Sequence, residues 1–196
     1  MSTAVIACGA IATHIANIAA REHFDLTIYP LPPLLHNHPE KIAGEVEAKY
    51  LELTAQEAKF KKIAVAYADC GTYGALDKVL AKYQIPRLGG DHCYDVFAGK
   101  ARVTELTTSG TYFLTDYLVR SFHRSVVVEL GLDTRPELRD DYFKNYQKVV
   151  WLAQNPSEEL KAAALAAAQV LQLPLEIEVV GESGLLDELK RLLDHI

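Results

Sequence analysis

The sequence has no excess of basic residues and no long apolar segment. Its 20 lysines and arginines are outnumbered by 26 aspartates and glutamates, which gives a formal net charge of -6. Proteins that bind nucleic acids usually carry basic patches with aromatic residues between them, so we expect no nucleic-acid partner. The apolar runs fall short of the roughly 18 residues of a membrane-spanning helix, and the first residues do not form a basic leader with a cleavable apolar segment. We therefore expect a cytoplasmic protein with no membrane partner.

Cysteine is also scarce, with three in the whole chain. In a protein without a secretion signal, an odd number of cysteines argues against a disulfide framework and favours buried thiols, redox chemistry or metal binding. The absence of any Cys-x-x-Cys pair counts against a ferredoxin, a zinc ribbon or a thioredoxin-like dithiol. The sequence also lacks a Walker lysine motif, a Gly-x-Gly-x-x-Gly run and a nucleophile elbow, so neither a nucleotide-binding loop nor a serine hydrolase is predicted.

What the sequence does contain is a regular alternation of strand and helix patterns. Apolar, β-branched runs alternate with segments in which apolar residues recur at helical spacing. This alternation predicts an α/β fold whose strand-helix units form a mostly parallel, layered sheet. At 196 residues we expect a single compact domain, 1–196, with 1–109 and 110–196 as candidate halves. A weak repeat of strand, Cys-Gly and helix is compatible with two or three related units packed together.

The predicted strands are residues 3–7, 26–31, 62–68, 85–88, 110–115, 148–152 and 175–180. The predicted helices are residues 9–21, 39–59, 73–83, 116–129, 136–145, 157–171 and 183–193, with a brief helix between Gly90 and Gly99.

Each of the three cysteines follows a predicted strand and precedes a predicted helix. Cys8 and Cys70 each end an apolar run and are followed by glycine, and Cys93 follows a short strand candidate and two glycines. Open α/β sheets bind ligands at the carboxyl ends of their strands. We therefore expect Cys8, Cys70 and Cys93 to meet at one site and to ligate a metal centre, although a buried cysteine can also be a small apolar filler.

A metal gives a physical reason for placing three thiols together. The thiolate is the ligand form of cysteine, and a helix N-terminus lowers the thiol pKa. Three neighbouring anions need a cation to balance their charge. Glycines beside the cysteines allow the backbone to approach closely and to direct amides at the sulfurs. The candidate cofactor-binding glycines are Gly9, Gly71 and Gly90.

Three cysteines, rather than four, indicate the kind of centre. A [4Fe-4S] cluster held by three cysteines leaves one iron open to substrate. We therefore predict an iron–sulfur enzyme that activates a small polar substrate at this iron, in lyase, hydratase or desulfuration chemistry.

Four polar side chains near the cysteines are the candidate catalytic residues. His36 and His38 follow the second strand at the same predicted edge, where either can act as a ligand, an acid or a substrate anchor. His92 is placed to contact the substrate or to support the metal ligands. Asp69 can orient a histidine or transfer protons. His38 and Asp69 each have a structural alternative as helix caps.

Five motifs carry a resemblance to a known family. They are Ala7-Cys-Gly-Ala, Leu35-His-Asn-His-Pro, Tyr67-Ala-Asp-Cys-Gly, Gly90-Asp-His-Cys-Tyr-Asp and Thr111-Tyr-Phe-Leu-Thr. Together they resemble a prokaryotic domain-of-unknown-function family that is often encoded near corrinoid-dependent methyltransferases. The resemblance implies one-carbon or methylamine metabolism as a setting and a corrinoid methyltransferase system as a partner, without implying an activity. The layout is also similar to that of three-cysteine iron–sulfur lyases such as quinolinate synthase, which is an architectural analogy.

Two other functions compete with the iron–sulfur enzyme. In the first, the same thiolates bind zinc with a histidine as fourth ligand, and the zinc activates a thiol, supports methyl transfer or closes the site. In the second, the chain is a metal-binding or corrinoid-binding accessory protein that turns over no substrate. The sequence favours no particular oligomeric state.

Overall fold

The computed structural model describes residues 3–55, 60 and 62–195. The chain divides into two compact units. The first unit comprises Met1–Val96 and Ser183–Ile196, and the second comprises Phe97–Glu182. Each unit contains a three-stranded parallel sheet. The predicted α/β fold with parallel strand-helix units is therefore confirmed.

The strands in chain order are β1 (Thr3–Cys8), β2 (Leu26–Leu31), β3 (Lys62–Ala66), β4 (Thr111–Thr115), β5 (Lys148–Ala153) and β6 (Leu175–Val179). The α-helices are α1 (Ala12–Glu22), α2 (Pro39–Ala55), α3 (Ala75–Tyr83), α4 (Cys93–Ala98), α5 (Lys100–Leu106), α6 (Asp116–Phe122), α7 (Leu138–Phe143), α8 (Glu158–Leu171) and α9 (Ser183–Asp194). Within the described part of the chain, no helix combines the length and apolar character needed to cross a bilayer.

The sheet of the first unit is organised around β1. This strand lies between β2 and β3 and is parallel to both, in the order β2-β1-β3. Its residues from Ala4 to Cys8 are all buried. A central parallel strand is covered on both faces, which is why β1 is a continuous apolar run rather than an alternating one.

Helices from both ends of the sequence complete the first unit. Helix α1 contacts β2 and α9, α2 contacts β1 and α3, and α9 contacts β3. The buried face of α9 consists of Leu185, Leu189 and Leu192, which recur at helical spacing. The last helix of the chain therefore belongs to the same core as the first strand.

The strand order of the first unit reverses direction at β1. The chain passes from β1 to β2 on one side of the sheet and later to β3 on the other side. Such a reversal leaves a crevice outside the carboxyl ends of the two strands that flank it, and open α/β sheets bind their ligands in this crevice. The carboxyl ends of β1 and β3 are therefore the expected ligand site of this unit.

The second unit has the sequential strand order β4-β5-β6. Its central strand β5 is buried from Val149 onward. Helix α6 contacts β4, β5 and α8, and α8 contacts β6. The side chain of Asp116, at the start of α6, is fully buried and accepts a hydrogen bond of 2.9 Å from Trp151 Nε1. This contact joins the end of β4 to the central strand.

The structure departs from the predicted elements in three places. The predicted strand 85–88 forms only one bridge, between Arg87 and Val65, since Pro86 has no N–H to extend the pairing. The predicted helix 116–129 becomes π-helical over His123–Val128. Helix α5 follows Gly99, where the sequence pattern predicted only the end of a helix.

Serine side chains accompany the change to π-helix. The Ser121 hydroxyl donates to the carbonyl of Tyr117, and the Ser125 hydroxyl donates to that of Ser121. Side chains that bond to the backbone compete with regular helix hydrogen bonds. Of the predicted helix 39–59, residues 56–59 lie outside the described part of the chain.

Candidate functional site

The three cysteines lie at one edge of the sheet in the first unit. Cys8 is the last residue of β1, and Cys70 follows the end of β3 after residues 67–69. Strands β1 and β3 are parallel neighbours, so their carboxyl ends meet at the same edge. Cys93 opens α4, shortly after the bridge that joins Arg87 to β3. The topology places Cys8 and Cys70 at or just after the carboxyl ends of neighbouring strands, and the meeting of all three cysteines at one site stays a prediction.

Cys8 is buried, Cys70 and Cys93 are half-buried, and an ionised thiolate at one of these positions affects the pKa of its neighbours. Burial is the largest cause of a raised pKa at each of them, and it raises the pKa of Cys70 to about 12. A negative charge on Cys8 raises the pKa of Cys70 further. Negative charges on Cys70 and Cys8 both raise the pKa of Cys93. Hydrogen bonds from the backbone of Ala10 and Ile11 oppose the effect of burial at Cys8.

The expected lowering of thiol pKa by helix N-termini is therefore outweighed by burial. Only Cys93 lies at the first residue of a helix, whereas α3 begins at Ala75, beyond the loop that carries Cys70. With the pKa raised at all three positions, the cysteines are neutral thiols at pH 7 unless a cation is close.

The three sulfurs are neighbours without converging on one point. Across residues 3–55, 60 and 62–195, no three or more His, Cys, Asp or Glu side chains form a group that could hold a single metal ion as they stand. All three cysteines are free thiols. They are close enough for their charges to interact, but they do not enclose a common centre.

Backbone hydrogen bonds join the Cys70 loop to the loop that precedes Cys93. The amide of Cys70 donates to the carbonyl of Asp91 at 2.8 Å, and the amide of Asp69 donates to that of Gly90 at 3.2 Å. A shift of either loop must therefore move both cysteines.

Asp69 organises the loop around Cys70. Its carboxylate accepts hydrogen bonds from the Thr72 hydroxyl at 2.7 Å, the Tyr73 amide at 3.1 Å and the Gly74 amide at 3.0 Å. These bonds hold Cys70 and Tyr73 in the left-handed region, each with φ of 51°. Asp69 therefore stabilises the loop that leads into α3, whose N-cap residue is Gly74 and has no side-chain cap, and its role in proton transfer stays a prediction.

The three candidate glycines differ in how tightly they are enclosed. A Cβ at Gly9 would lie 2.4 Å from the carbonyl oxygen of Leu31, and one at Gly90 would lie 2.8 Å from the Cβ of Asp95. A Cβ at Gly71 would make an ordinary contact of 3.5 Å, but its φ of +80° favours glycine. Only glycine therefore fits beside the cysteines without strain.

Replacing Gly9 with alanine is expected to destabilise the protein by about 1–3 kcal/mol, because the new methyl group would overlap a backbone oxygen that cannot turn aside. Gly44 provides a matched control in α2, where a Cβ would have no neighbour within 4 Å. Gly44→Ala should stabilise the helix by about 0.5–1 kcal/mol. Urea unfolding of both variants checks the pair, and equal effects at the two positions would contradict the close packing at Gly9.

The predicted histidines all lie in the first unit, with His36 and His38 in the segment that follows β2 and His92 directly before Cys93. His36 Nδ1 is 3.0 Å from the carbonyl oxygen of Pro33, within the 3₁₀ turn that follows β2. His38 lies at the surface, 3.6 Å from the carboxylate of Glu40. His92 is exposed, with its ring 5.9 Å from that of Tyr94 in a stacked arrangement. The catalytic roles of the three histidines stay predictions.

Tyr67, which directly follows β3, was not among the predicted site residues. Its side chain is 1% exposed, and its hydroxyl has no hydrogen-bond partner of normal geometry among the described residues. The hydroxyl lies near Cys8 and Cys70, whose charges raise its pKa in addition to the larger effect of burial. A weak interaction with the Cys8 thiol also affects the pKa values of both groups.

An unsatisfied buried hydroxyl is unfavourable by about 1–3 kcal/mol, so the position of Tyr67 calls for an acceptor that the thiol alone does not supply. The sequence feature that points to Tyr67 is a tyrosine placed directly after an apolar strand and just before the Cys70 motif.

Two further carboxylates support the loop before Cys93. Asp95 accepts from the amides of Asp91 at 2.7 Å and His92 at 3.1 Å, as an acidic residue in the first turn of a helix can. Glu188 of α9 accepts from the amide of Gly89 at 2.7 Å. Only the tertiary structure reveals the second contact, because the two residues are far apart in the chain.

Comparison with known proteins identifies one family. A family model described as "Protein of unknown function (DUF1638)" matches residues 30–193, a range that includes Cys70 and Cys93 and begins after Cys8. Neither the curated proteins nor the solved structures contain a significant match. Because the family model covers most of the sequence, the chain belongs to the DUF1638 family.

Proposed function

We propose that this protein is an enzyme whose Cys8, Cys70 and Cys93 hold a [4Fe-4S] cluster for chemistry on a small polar substrate. The observation that supports the proposal is that one buried and two half-buried cysteines, from three separate segments, lie near the strand-order reversal of the first sheet. This crevice is where open α/β sheets bind ligands.

The donor set suits a soft metal. Thiolates favour zinc and iron–sulfur centres over magnesium or calcium. Burial keeps these cysteines neutral, and a bound cation would reverse that preference by stabilising the thiolates. The unsatisfied hydroxyl of Tyr67 provides a hydrogen-bond donor near Cys8 and Cys70.

A [4Fe-4S] cluster and a single zinc ion make different geometric demands on three cysteine ligands. In a [4Fe-4S] cluster each cysteine binds a different iron, whereas one zinc ion requires its sulfurs at about 2.3 Å from a common centre. The described cysteines are neighbours without such a centre.

The number of cysteines bears on reactivity. The chain contains only three, so a cluster bound here has no fourth cysteine ligand from the same chain. When bound, the cluster would supply Lewis-acid activation of a substrate at its open iron. Asp69, His36, His38 and His92 are the chain's candidates for orienting the substrate and transferring protons. Lyase, hydratase and desulfuration reactions all fit this arrangement.

A zinc site is the second candidate. The same thiolates could bind zinc if one imidazole, that of His36, His38 or His92, joined them as a fourth ligand. Zinc would then activate a thiol, and the resemblance to a family encoded near corrinoid-dependent methyltransferases makes methyl transfer in one-carbon metabolism a fitting setting. An accessory role in metal or corrinoid binding uses the same residues without turnover.

The deciding experiment is metal and acid-labile sulfide analysis of the full chain purified without oxygen, together with its visible spectrum. We expect iron and sulfide in nearly equal amounts and a broad brown absorbance. Stoichiometric zinc without sulfide would replace the cluster with the zinc site. If neither metal is retained after purification or after reconstitution with iron and sulfide, the three cysteines are core residues and the proposal fails.

A further inference from the structure

Tyr67 stands out among the residues around the proposed metal site. It is almost completely buried at the carboxyl end of β3, and its hydroxyl lacks a partner of normal geometry within the described structure. We infer that Tyr67 donates a hydrogen bond to the metal-bound sulfur of Cys8 and thereby tunes the electronic properties of the centre. This inference rests on the proposed metal site. It assigns to Tyr67, which is not a metal ligand, the role of a hydrogen-bond donor to a ligand sulfur.

Cys8 is the acceptor because of where the two strands end. Strands β1 and β3 are parallel neighbours in which Ala7 pairs with Ala66, so Cys8, the last residue of β1, and Tyr67, the residue directly after β3, follow paired positions. The hydroxyl and the Cys8 sulfur are close enough to interact. Tyr67 therefore reaches the sulfur from within the core.

Metal binding would make the hydrogen bond from Tyr67 to the Cys8 sulfur stronger. A neutral thiol is a weak acceptor, whereas a metal-bound thiolate carries negative charge and accepts strong, charge-assisted hydrogen bonds. A tyrosine hydroxyl in its ordinary neutral form has one proton to donate. The unsatisfied hydroxyl is thus explained as a donor prepared for the metal-bound state.

The expected consequence is a shift in reduction potential. A hydrogen bond to a ligand sulfur withdraws electron density and stabilises the more negatively charged, reduced centre. Removing the bond should therefore make the cluster harder to reduce, without removing any ligand.

The test compares Tyr67→Phe with Tyr112→Phe in the full chain. Tyr112 is a matched control because burial also raises its pKa, to about 12, while its ring packs against Phe143 and Tyr146 in the second unit. After reconstitution with iron and sulfide, Tyr67→Phe should retain the iron of the wild type and show a more negative midpoint potential. Tyr112→Phe should keep the wild-type potential.

A cobalt-loaded sample extends the test to a single-ion site. Cobalt(II) bound to thiolates has a sulfur-to-metal charge-transfer band, whose energy falls as the sulfur becomes richer in electrons. Tyr67→Phe should move this band to longer wavelength, and Tyr112→Phe should leave it in place. A metal-loaded Tyr67→Phe protein with unchanged potential and unchanged band would overturn the inference.

Unfolding of the metal-free protein provides an independent measurement. Metal-free Tyr67→Phe should unfold at the same or a higher urea concentration than metal-free wild type, because no strong hydrogen bond is lost. A clear decrease would show that the hydroxyl is already satisfied by the protein and would overturn the inference. Failure of the proposed function is recognised separately, in a wild type that takes up neither the cluster nor cobalt.

Discussion

Cys70→Ser is expected to lower bound iron and sulfide by at least about tenfold while the protein remains folded, since changes that disturb metal ligation alter affinity by one or more orders of magnitude. Serine has nearly the size of cysteine but does not provide a thiolate. Cys70 also lies in a loop fixed by the Asp69 carboxylate and by its own backbone bond to Asp91, neither of which uses the sulfur. Anaerobic metal analysis, visible absorbance and circular dichroism of the same samples measure the effect.

The other two cysteines provide the comparison. Cys8→Ser and Cys93→Ser should cause losses of similar size, because a shared centre depends on every ligand. Gly44→Ala, in a helix of the same unit, serves as the folded control with full metal content. Wild-type iron and sulfide in any one of the three serine variants would remove that cysteine from the ligand set.

Asp116→Ala is expected to destabilise the protein by about 3–5 kcal/mol, because three donors would be left unpaired inside the second unit. The carboxylate accepts from Trp151 Nε1 at 2.9 Å, from the amide of Gln154 at 3.1 Å and from that of Asn155 at 2.8 Å. The Gln154 side chain in turn accepts from the Asp116 amide at 2.8 Å. The loss is large compared with a typical domain stability of roughly 5–15 kcal/mol.

Urea unfolding followed by tryptophan fluorescence measures this change directly, since the single tryptophan is one of the partners. Asp116→Asn keeps one acceptor oxygen and should cost less, about 1–2 kcal/mol. Asp133→Ala is the control at an exposed position of the same unit and should stay within about 0.5 kcal/mol of wild type. An equally small effect at Asp116 would mean that its network does not stabilise the fold.

Local patterns were sufficient for most of the architecture. The continuous apolar run of β1 and the spacing of leucines in α9 each report burial directly, so the strand and the helix were predicted close to their observed bounds. Prediction failed at 85–88, where Pro86 limits pairing to a single bridge. It also failed at His123–Val128, where the helix changes type rather than ending.

The candidate site was partly predictable for the same reason. A cysteine at the end of an apolar run is placed at the carboxyl edge of a parallel sheet by topology alone, which fixed Cys8 and Cys70 as neighbours. Their ionisation was not predictable, because a raised pKa depends on how much protein covers each sulfur. The role inferred for Tyr67 was not predictable either, because it depends on the tertiary surroundings of its hydroxyl, which has no hydrogen-bond partner of normal geometry among the described residues.

By itself, the sequence determined the α/β class, the parallel strands and the position of Cys8 and Cys70 at or just after strand ends, because these follow from residue periodicity within short segments. The tertiary structure decided the strand order β2-β1-β3 and the joining of the Cys70 loop to the segment before Cys93. It also decided the support of Gly89 by Glu188, a residue near the other end of the chain. Contacts of this kind depend on how distant segments pack, and no local pattern of residues encodes which distant partner a buried group will find.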